Sequence, residues 1–182
     1  MEEKKSSCVS TCDFAGVRPI MMDLPYPPIQ VSKKNQAYAD LLSVDYCGSV
    51  SELSAITQYI NNESRLSDSK CSMAKTLLGI AVAEMMHLQK LGQLIVLLGG
   101  KLDFVAKYRN GRQQMWTPEY LAIPENVGKM LLSDIEAERA AVNQYRMHIK
   151  MIEDPCVNAV LHRIIKDEEY HIMLLQALVK EL

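Results

Sequence analysis

Two short segments of the chain each place a glutamate and a histidine three positions apart. Glu84 and His87 form the first pair, and Glu168 and His171 form the second. On an α-helix, residues at this spacing lie on the same face, about one turn from each other. Both pairs lie within apolar stripes of helical period, so we expect each pair to face the interior of the protein. Ionisable groups in such stripes are costly unless each has a charged or metal partner.

Four segments of the chain have the period of a helix with one buried face. Gly99 with Gly100 is a typical end for the second helix, and Asp154 with Pro155 is a typical start for the fourth. The aperiodic segment 101–124 is long enough to cross from one end of a bundle to the other. The pattern therefore predicts an all-α fold, a four-helix bundle with a long crossover between helices two and three. The predicted helices cover about residues 38–64, 69–98, 124–153 and 155–180.

Residues 1–37 precede the first predicted helix. Four prolines between positions 19 and 28 preclude a long helix there. We expect an extended, partly disordered N-terminal segment at 1–37, followed by the bundle at 38–182. Cys8 and Cys12 could bind a metal or form a disulfide, and we expect two free thiols.

Composition excludes several classes of partner. The net charge of −2 gives no reason to expect nucleic acid or an anionic membrane surface. No stretch approaches the roughly 18 apolar residues of a membrane span, and the charged N-terminus shows no signal peptide. Five cysteines, an odd number in a chain too large to need disulfides, predict a cytoplasmic location.

The chain also contains an internal repeat. Glu52 is followed by a tyrosine, Tyr59, seven positions later, and Glu138 is followed by Tyr145 at the same spacing. A Glu-x-x-His pair begins 32 residues after Glu52 and 30 residues after Glu138. One helix pair thus occurs twice, which predicts a pseudo-two-fold axis through a shared dinuclear metal site. Mixed carboxylate and imidazole ligands suit iron or manganese, and also zinc. The six candidate ligands are Glu52, Glu84, His87, Glu138, Glu168 and His171.

On these six residues and two tyrosines, the chain from 38 to 180 resembles the ferritin-like di-iron carboxylate superfamily, near its rubrerythrin, bacterioferritin and manganese catalase branches. The resemblance implies two metal ions, each bound by one histidine and one terminal glutamate. Glu84 and Glu168 would bridge the two ions, and Glu52 and Glu138 would be the terminal ligands.

The chain departs from each branch at one feature. Ala141 stands where rubrerythrins usually add a seventh ligand, a second glutamate. The rubredoxin domain of rubrerythrins is absent, so we expect either that electrons come from a separate protein such as rubredoxin or that none are needed. Cage-forming ferritins usually carry a fifth helix, which this chain lacks. Manganese catalases usually lack the glutamate of the last Glu-x-x-His pair, whereas Glu168 is present here.

Several further polar residues are candidates for supporting roles. Tyr59 and Tyr145 are expected to donate hydrogen bonds to ligand carboxylates across the bundle. Asp167 could orient His87 through its free ring nitrogen or could be a solvated surface residue. Asp45 and Asp134 could line a cation path or could be local polar groups, and we expect the latter. His148 and His162 are expected to be surface residues.

The site and the resemblance together predict an oxidoreductase that reduces hydrogen peroxide, or O2, at two iron ions, in the manner of a rubrerythrin. Manganese-dependent catalase activity is one alternative, and ferritin-like iron oxidation and storage is another. A purely structural zinc site is least expected, because long apolar helices need no metal to fold. The protein is expected to form a homodimer.

Overall fold

The structure, a computed structural model, describes residues 10–182, so Cys8 lies outside the described residues. Five α-helices make up most of this part of the chain, and two short antiparallel strands join the third helix to the fourth. The helices are α1 (Gln36–Cys47), α2 (Glu52–Leu66), α3 (Cys71–Leu97), α4 (Val127–Met151) and α5 (Pro155–Lys180). The strands are β1 (Val105–Lys107) and β2 (Gln113–Met115).

The helices form a four-helix bundle in which α1 and α2 together make the first member. Both pack along α3, and α4 packs along α5. The Asn35 amide donates to the Leu98 carbonyl, so α1 begins where α3 ends. Arg65 donates to the Pro124 carbonyl, so α4 begins near the end of α2. The crossover therefore spans the length of the bundle, and the predicted fold class is confirmed.

The first helix differs from its prediction, because residues 48–51 divide it into α1 and α2. Gly48 leaves the helical conformation, with ψ at −169°. A Cβ atom at this glycine would lie 2.6 Å from the Val44 carbonyl oxygen, closer than packing allows. Ser51 then starts α2, since its side chain accepts a hydrogen bond from the Ser54 amide. The prediction of one continuous helix over 38–64 was wrong.

The crossover contains a hairpin that periodicity did not reveal. Strand β1 pairs with β2 in antiparallel register, and Ala106 at its centre is buried against Val44 and Cys47 of α1. Farther along the crossover, the side-chain amide of Gln58 on α2 bonds both the carbonyl and the amide of Ala122. These contacts hold the crossover over the α2 side of the bundle.

Residues 10–35, which we call the N-terminal strap, run extended along α3 and α5. The strap is joined to α3 by a disulfide between Cys12 and Cys71. The Ile20 amide then donates to the Gly79 carbonyl at 2.9 Å. A Cβ atom at Gly79 would lie 2.7 Å from the Ile20 side chain, so the strap can approach α3 here because the helix has a glycine. The expectation of a free thiol at Cys12 was wrong.

Helix α3 is, by length and composition alone, long and apolar enough to cross a membrane, contrary to the sequence-based expectation. Half of its most apolar 18-residue window is buried inside the protein. Glu84 and His87 lie on this helix with at most 1% of their surface exposed, facing other helices. These features fit a central helix of the bundle.

Candidate metal centre

The structure brings together all six residues that the sequence predicted as ligands. One comes from α2, two from α3, one from α4 and two from α5. None has more than 4% of its surface exposed. The six are Glu52, Glu84, His87, Glu138, Glu168 and His171.

The six side chains form two overlapping groups, each able to hold one metal ion. Within each group, the candidate ligand atoms lie within 4.8 Å of one another. Glu84 and Glu168 belong to both groups, which is the arrangement that two bridging carboxylates require. The first group adds Glu52 and His87, and the second adds Glu138 and His171.

Each distance in the first group is nearly equal to the corresponding distance in the second. His87 Nδ1 lies 2.9 Å from Glu84 Oε2 and 3.3 Å from Glu168 Oε1. His171 Nδ1 lies 2.9 Å from Glu84 Oε1 and 3.2 Å from Glu168 Oε2. Each Nδ1 is also 3.7 Å from the third carboxylate of its group. The pseudo-two-fold axis inferred from the repeat therefore relates the two halves of the cluster.

Each histidine is oriented by a partner on its other ring nitrogen. His171 Nε2 donates to the Ile20 carbonyl of the strap at 2.8 Å. Because a carbonyl can only accept, this nitrogen carries a proton. His87 Nε2 lies 3.1 Å from Asp167 Oδ2, an equivalent acceptor. Both rings thus turn Nδ1 towards the glutamates, as expected of imidazoles that bind metal.

The electrostatics of the cluster favour cations at its centre. Burial and the neighbouring glutamates raise the pKa of Glu52 and of Glu138 well above the ordinary range. Burial alone would lower the pKa of His87 and of His171, but the surrounding carboxylates outweigh it and raise both. Four buried carboxylates therefore need positive charge, and two divalent cations would balance them with both histidines neutral.

One oxygen of the cluster supports a fit between these residues and metal ions. Glu84 Oε1 is buried and accepts no hydrogen bond, although it lies 2.9 Å from His171 Nδ1. A buried carboxylate oxygen without a donor is costly in protein, whereas a bound cation would satisfy it. The donor set of carboxylate oxygens and imidazole nitrogens suits iron, manganese or zinc.

Two tyrosines hold the outer glutamates from across the bundle, as the sequence analysis expected. The Tyr59 hydroxyl on α2 donates to Glu138 on α4. The Tyr145 hydroxyl on α4 donates to Glu52 on α2. All four side chains are buried.

Asp167 is buried and lies beside His87, which resolves the two alternatives left open for it. It accepts hydrogen bonds from the Met22 amide at 2.8 Å and the Tyr26 hydroxyl at 2.6 Å, and it pairs with Arg163 at 2.7 Å. Burial alone would raise the pKa of Asp167, but its bonds to His87, Tyr26 and Arg163 lower it to about 2. The carboxylate is therefore ionised and holds His87 in place.

The contribution of the strap to the site could not be read from the sequence. Ile20 acts through its backbone carbonyl, and Met22 acts through its backbone amide. Backbone groups leave no trace in residue type. Tyr26, which donates to Asp167 through its hydroxyl, lies in an extended proline-rich segment whose sequence carries no signal for this contact.

A cavity of about 100 Å³ reaches the glutamates from the α2 and α4 side. All four cluster glutamates and both tyrosines line it, and Tyr120, Leu121 and Ala122 of the crossover form part of its wall. Ala141, at the position of the seventh rubrerythrin ligand, also lines it. Neither histidine does, since the strap covers their side of the cluster. A cavity of this size can hold a few water-sized molecules.

Two further aspartates lie on the cavity wall, and each is hydrogen-bonded to a buried polar side chain. Asp134 accepts from Asn62 at 2.9 Å through both oxygens. Asp45 lies 2.7 Å from His148 Nδ1. His148 is 3% exposed, so its prediction as a surface residue was wrong. Asp45, 103 positions away in the sequence, supplies the partner that makes this burial possible. His162 is exposed, as expected.

Comparison with known proteins agrees with this fold. A probable manganese catalase from Clostridium acetobutylicum is 24% identical over 160 residues, which cover 79% of this chain and 70% of the relative. The crystal structure of a manganese catalase from Anabaena superposes with a TM-score of 0.76 at 23% identity, covering 87% of this chain and 78% of that one. A bacterioferritin structure from Rhodobacter capsulatus gives a TM-score of 0.65 at 24% identity, covering 81% of this chain and 86% of that one.

The family itself is shown by a match to the sequence model of rubrerythrin. The match covers residues 48–179, which include all six residues of the cluster and both tyrosines. It begins at the break between α1 and α2 and ends in the last turn of α5. The chain therefore belongs to the rubrerythrin family.

Proposed function

We propose that the protein is a dinuclear metalloenzyme that reduces hydrogen peroxide, or O2, with two iron ions as its cofactor. The observation that carries the proposal is the pair of overlapping ligand groups that share Glu84 and Glu168. Glu52 and His87 would complete one metal site, and Glu138 and His171 would complete the other. Two redox-active ions held there supply two electrons, the number needed to reduce one peroxide to water.

The protein's own residues provide three things for this reaction. Tyr59 and Tyr145 fix the outer carboxylates through hydrogen bonds, so these ligands are oriented before substrate arrives. Asp167 and the Ile20 carbonyl fix the imidazole rings from the opposite side. The cavity admits a small molecule to the carboxylate side and limits its size.

A single-turnover experiment tests the proposed reaction. Metal-free protein is loaded anaerobically with Fe(II) and mixed with hydrogen peroxide, while iron oxidation is followed by absorbance and O2 by an electrode. We expect one peroxide consumed for each pair of iron ions, with no O2 released. No oxidation of the iron would contradict the proposal.

The second candidate function is manganese catalase activity, in which peroxide is both oxidised and reduced and no electron donor is needed. It is favoured by the names of two relatives, the proteins from Clostridium acetobutylicum and Anabaena. The same donor set suits manganese as well as iron. Manganese in protein from the native host, with sustained O2 release on adding peroxide, would decide for this candidate.

Ferritin-like iron oxidation and storage is the third candidate, consistent with the structural likeness to bacterioferritin. Storage requires a hollow cage of many subunits, whereas the expected state of this chain is a homodimer. Sedimentation analysis separates these states directly.

Three further expectations also stay predictions. They are a separate electron donor such as rubredoxin, the absence of nucleic-acid and membrane partners, and a cytoplasmic location. Disulfides such as Cys12–Cys71 persist mainly in oxidising compartments, so the location of the protein should be measured by cell fractionation.

A further inference from the structure

The two aspartates on the cavity wall have partners that occupy equivalent places in the internal repeat. Their polar partners are His148 and Asn62, which stand ten positions after Glu138 and Glu52, respectively. His148 bonds Asp45 and Asn62 bonds Asp134, and both buried aspartates line the cavity. The two partners are thus equivalent in the repeat, whereas Asp45 stands seven positions before Glu52 and Asp134 stands four positions before Glu138.

The two pairs differ in what their partners can do. An imidazole binds a proton on one nitrogen and releases one from the other near neutral pH, whereas a carboxamide does neither. His148 is 3% exposed, and its Nε2 points away from Asp45, since Nδ1 faces that carboxylate. Asn62 is 0% exposed. Of the two pairs, therefore, only the one with His148 has a partner that can relay protons between the cavity wall and the surface.

We propose that Asp45 and His148 form the proton route into the cavity, and that the Asp134–Asn62 pair is its inactive counterpart. This inference rests on the proposed peroxide reduction, which takes two electrons from the two reduced metal ions and two protons from solvent, and yields two waters.

Each proton moves in defined steps. A solvent proton binds His148 Nε2, and the Nδ1 proton passes to Asp45 Oδ2 across the 2.7 Å hydrogen bond. Asp45 then gives that proton to a molecule in the cavity that it lines. The imidazole is left neutral with its proton on Nε2, and rotation of the ring about the Cβ–Cγ bond returns an N–H to Asp45.

The surroundings of the pair keep Asp45 in position. The Gln144 side-chain amide donates to Asp45 Oδ1 at 2.8 Å and to the Val50 carbonyl at 2.8 Å. Gln144 also lines the cavity. In the described part of the chain, the only ion pair of His148 or Asp45 is the one between them. Tyr145 on α4 is a further titratable group near Asp45, and its pKa is raised by burial and by the Glu52 and Asp45 carboxylates.

The test uses two variants at the His148 end and one matched control. His148→Asn gives this end the partner residue found at the other, and Asp45→Asn removes the acid. Asp134→Asn is the equivalent change at the opposite end. Iron-loaded, reduced proteins are mixed with peroxide, and proton uptake is followed with a pH-indicator dye while iron oxidation is followed by absorbance. Circular dichroism and iron content establish that each variant is folded and loaded.

We expect His148→Asn and Asp45→Asn to slow proton uptake roughly tenfold or more, as removal of a proton-transfer group does. Asp134→Asn should change the rate of proton uptake by no more than about twofold, because Asp134 is not part of the proposed route. Unchanged uptake in both variants of the His148 end, or equal slowing in Asp134→Asn, overturns the inference. Wild-type protein that neither oxidises its iron nor takes up protons contradicts the proposed function instead.

A second readout does not depend on turnover. In the zinc-loaded protein, NMR measures how fast the ring N–H protons of His148 and His171 exchange with solvent. We expect faster exchange at His148, because the strap covers His171, whose Nε2 is bonded to the Ile20 carbonyl. Exchange at His148 that is as slow as at His171 contradicts the route.

Discussion

The hydroxyl of Tyr145 on α4 donates a hydrogen bond to the carboxylate of Glu52 on α2. The repeat-related Tyr59 on α2 donates in the same way to Glu138 on α4. Each helix thus supplies one ligand candidate and the tyrosine that orients the ligand candidate of the other. The two halves of the cluster are mutually supported, so loss of either tyrosine should have a similar effect.

We expect Tyr145→Phe and Tyr59→Phe each to weaken metal binding by about 10–100-fold, the usual range for loss of a hydrogen bond to a metal ligand. Competition with a chelator for Zn(II) or Mn(II) measures the affinity. Tyr170→Phe, which changes a half-exposed tyrosine next to Glu169, is the control. An effect of Tyr145→Phe no larger than that of the control would contradict the role of the hydrogen bond.

Glu84 belongs to both candidate metal groups, whereas Glu52 belongs to one. We therefore expect Glu84→Ala to abolish tight binding of both ions and Glu52→Ala to spare one. Metal content per chain, measured by mass spectrometry after dialysis, distinguishes these results. Equal losses in the two variants would mean that Glu84 does not bridge.

The Cys12–Cys71 disulfide fixes the strap that orients His171 through the Ile20 carbonyl. Because it closes a loop of 59 residues, we expect the double variant Cys12→Ser/Cys71→Ser to lose roughly 2–4 kcal/mol of unfolding free energy. Amide exchange at Ile20, which donates to Gly79 in the intact strap, should accelerate. Cys156→Ser, at a half-buried free cysteine, is the control. Unchanged exchange at Ile20 would show that the strap stays in place without the disulfide.

Asp134 provides a prediction about pH. Burial raises the pKa of Asp134 to about 7, with its hydrogen bond from Asn62 opposing the rise. The folded state therefore holds this proton more tightly than the unfolded state, in which an aspartate has a pKa of about 4. The bound proton therefore stabilises the folded wild type, and this stabilisation is lost as the pH rises from about 4 to about 7. Asp134→Asn has no carboxyl group at this position, so it does not show this loss.

We expect the unfolding free energy of Asp134→Asn, measured relative to wild type, to rise by roughly 1–3 kcal/mol as the pH increases from about 4 to about 8. Urea denaturation of the metal-free proteins across this range measures the difference. Asp68→Asn, at an exposed aspartate, should show no such trend. A stability difference for Asp134→Asn that is constant with pH would contradict the raised pKa.

The bundle and the cluster could be predicted because their signals are local. Glu84 and His87 lie on one helical face by spacing alone, and an apolar stripe around a charged residue indicates a buried site. Glu52 and Tyr59 recur at the same spacing as Glu138 and Tyr145. This repeat predicted which distant helices meet at the site, since equivalent helices must meet at equivalent positions.

The features that the sequence did not predict depend on contacts between distant residues. The break at Gly48 lies in a stripe of small residues, where a glycine is compatible with a continuous helix. The pairing of Cys12 with Cys71 joins residues 59 positions apart, and spacing carries no signal for it. His148 resembles a polar residue at the end of an amphipathic helix, and only the arrival of Asp45 from α1 explains its burial.

The central claim is that two metal ions share Glu84 and Glu168. Electron paramagnetic resonance of the metal-free protein reloaded with two equivalents of Mn(II) tests it most directly, because ions bridged by carboxylates couple magnetically. For the wild type, we predict the spectrum of an exchange-coupled pair of ions. For Glu52→Ala, in which only one site is expected to fill, we predict the spectrum of a single ion. A wild-type spectrum of isolated Mn(II) ions alone would contradict the shared carboxylates and, with them, the dinuclear centre.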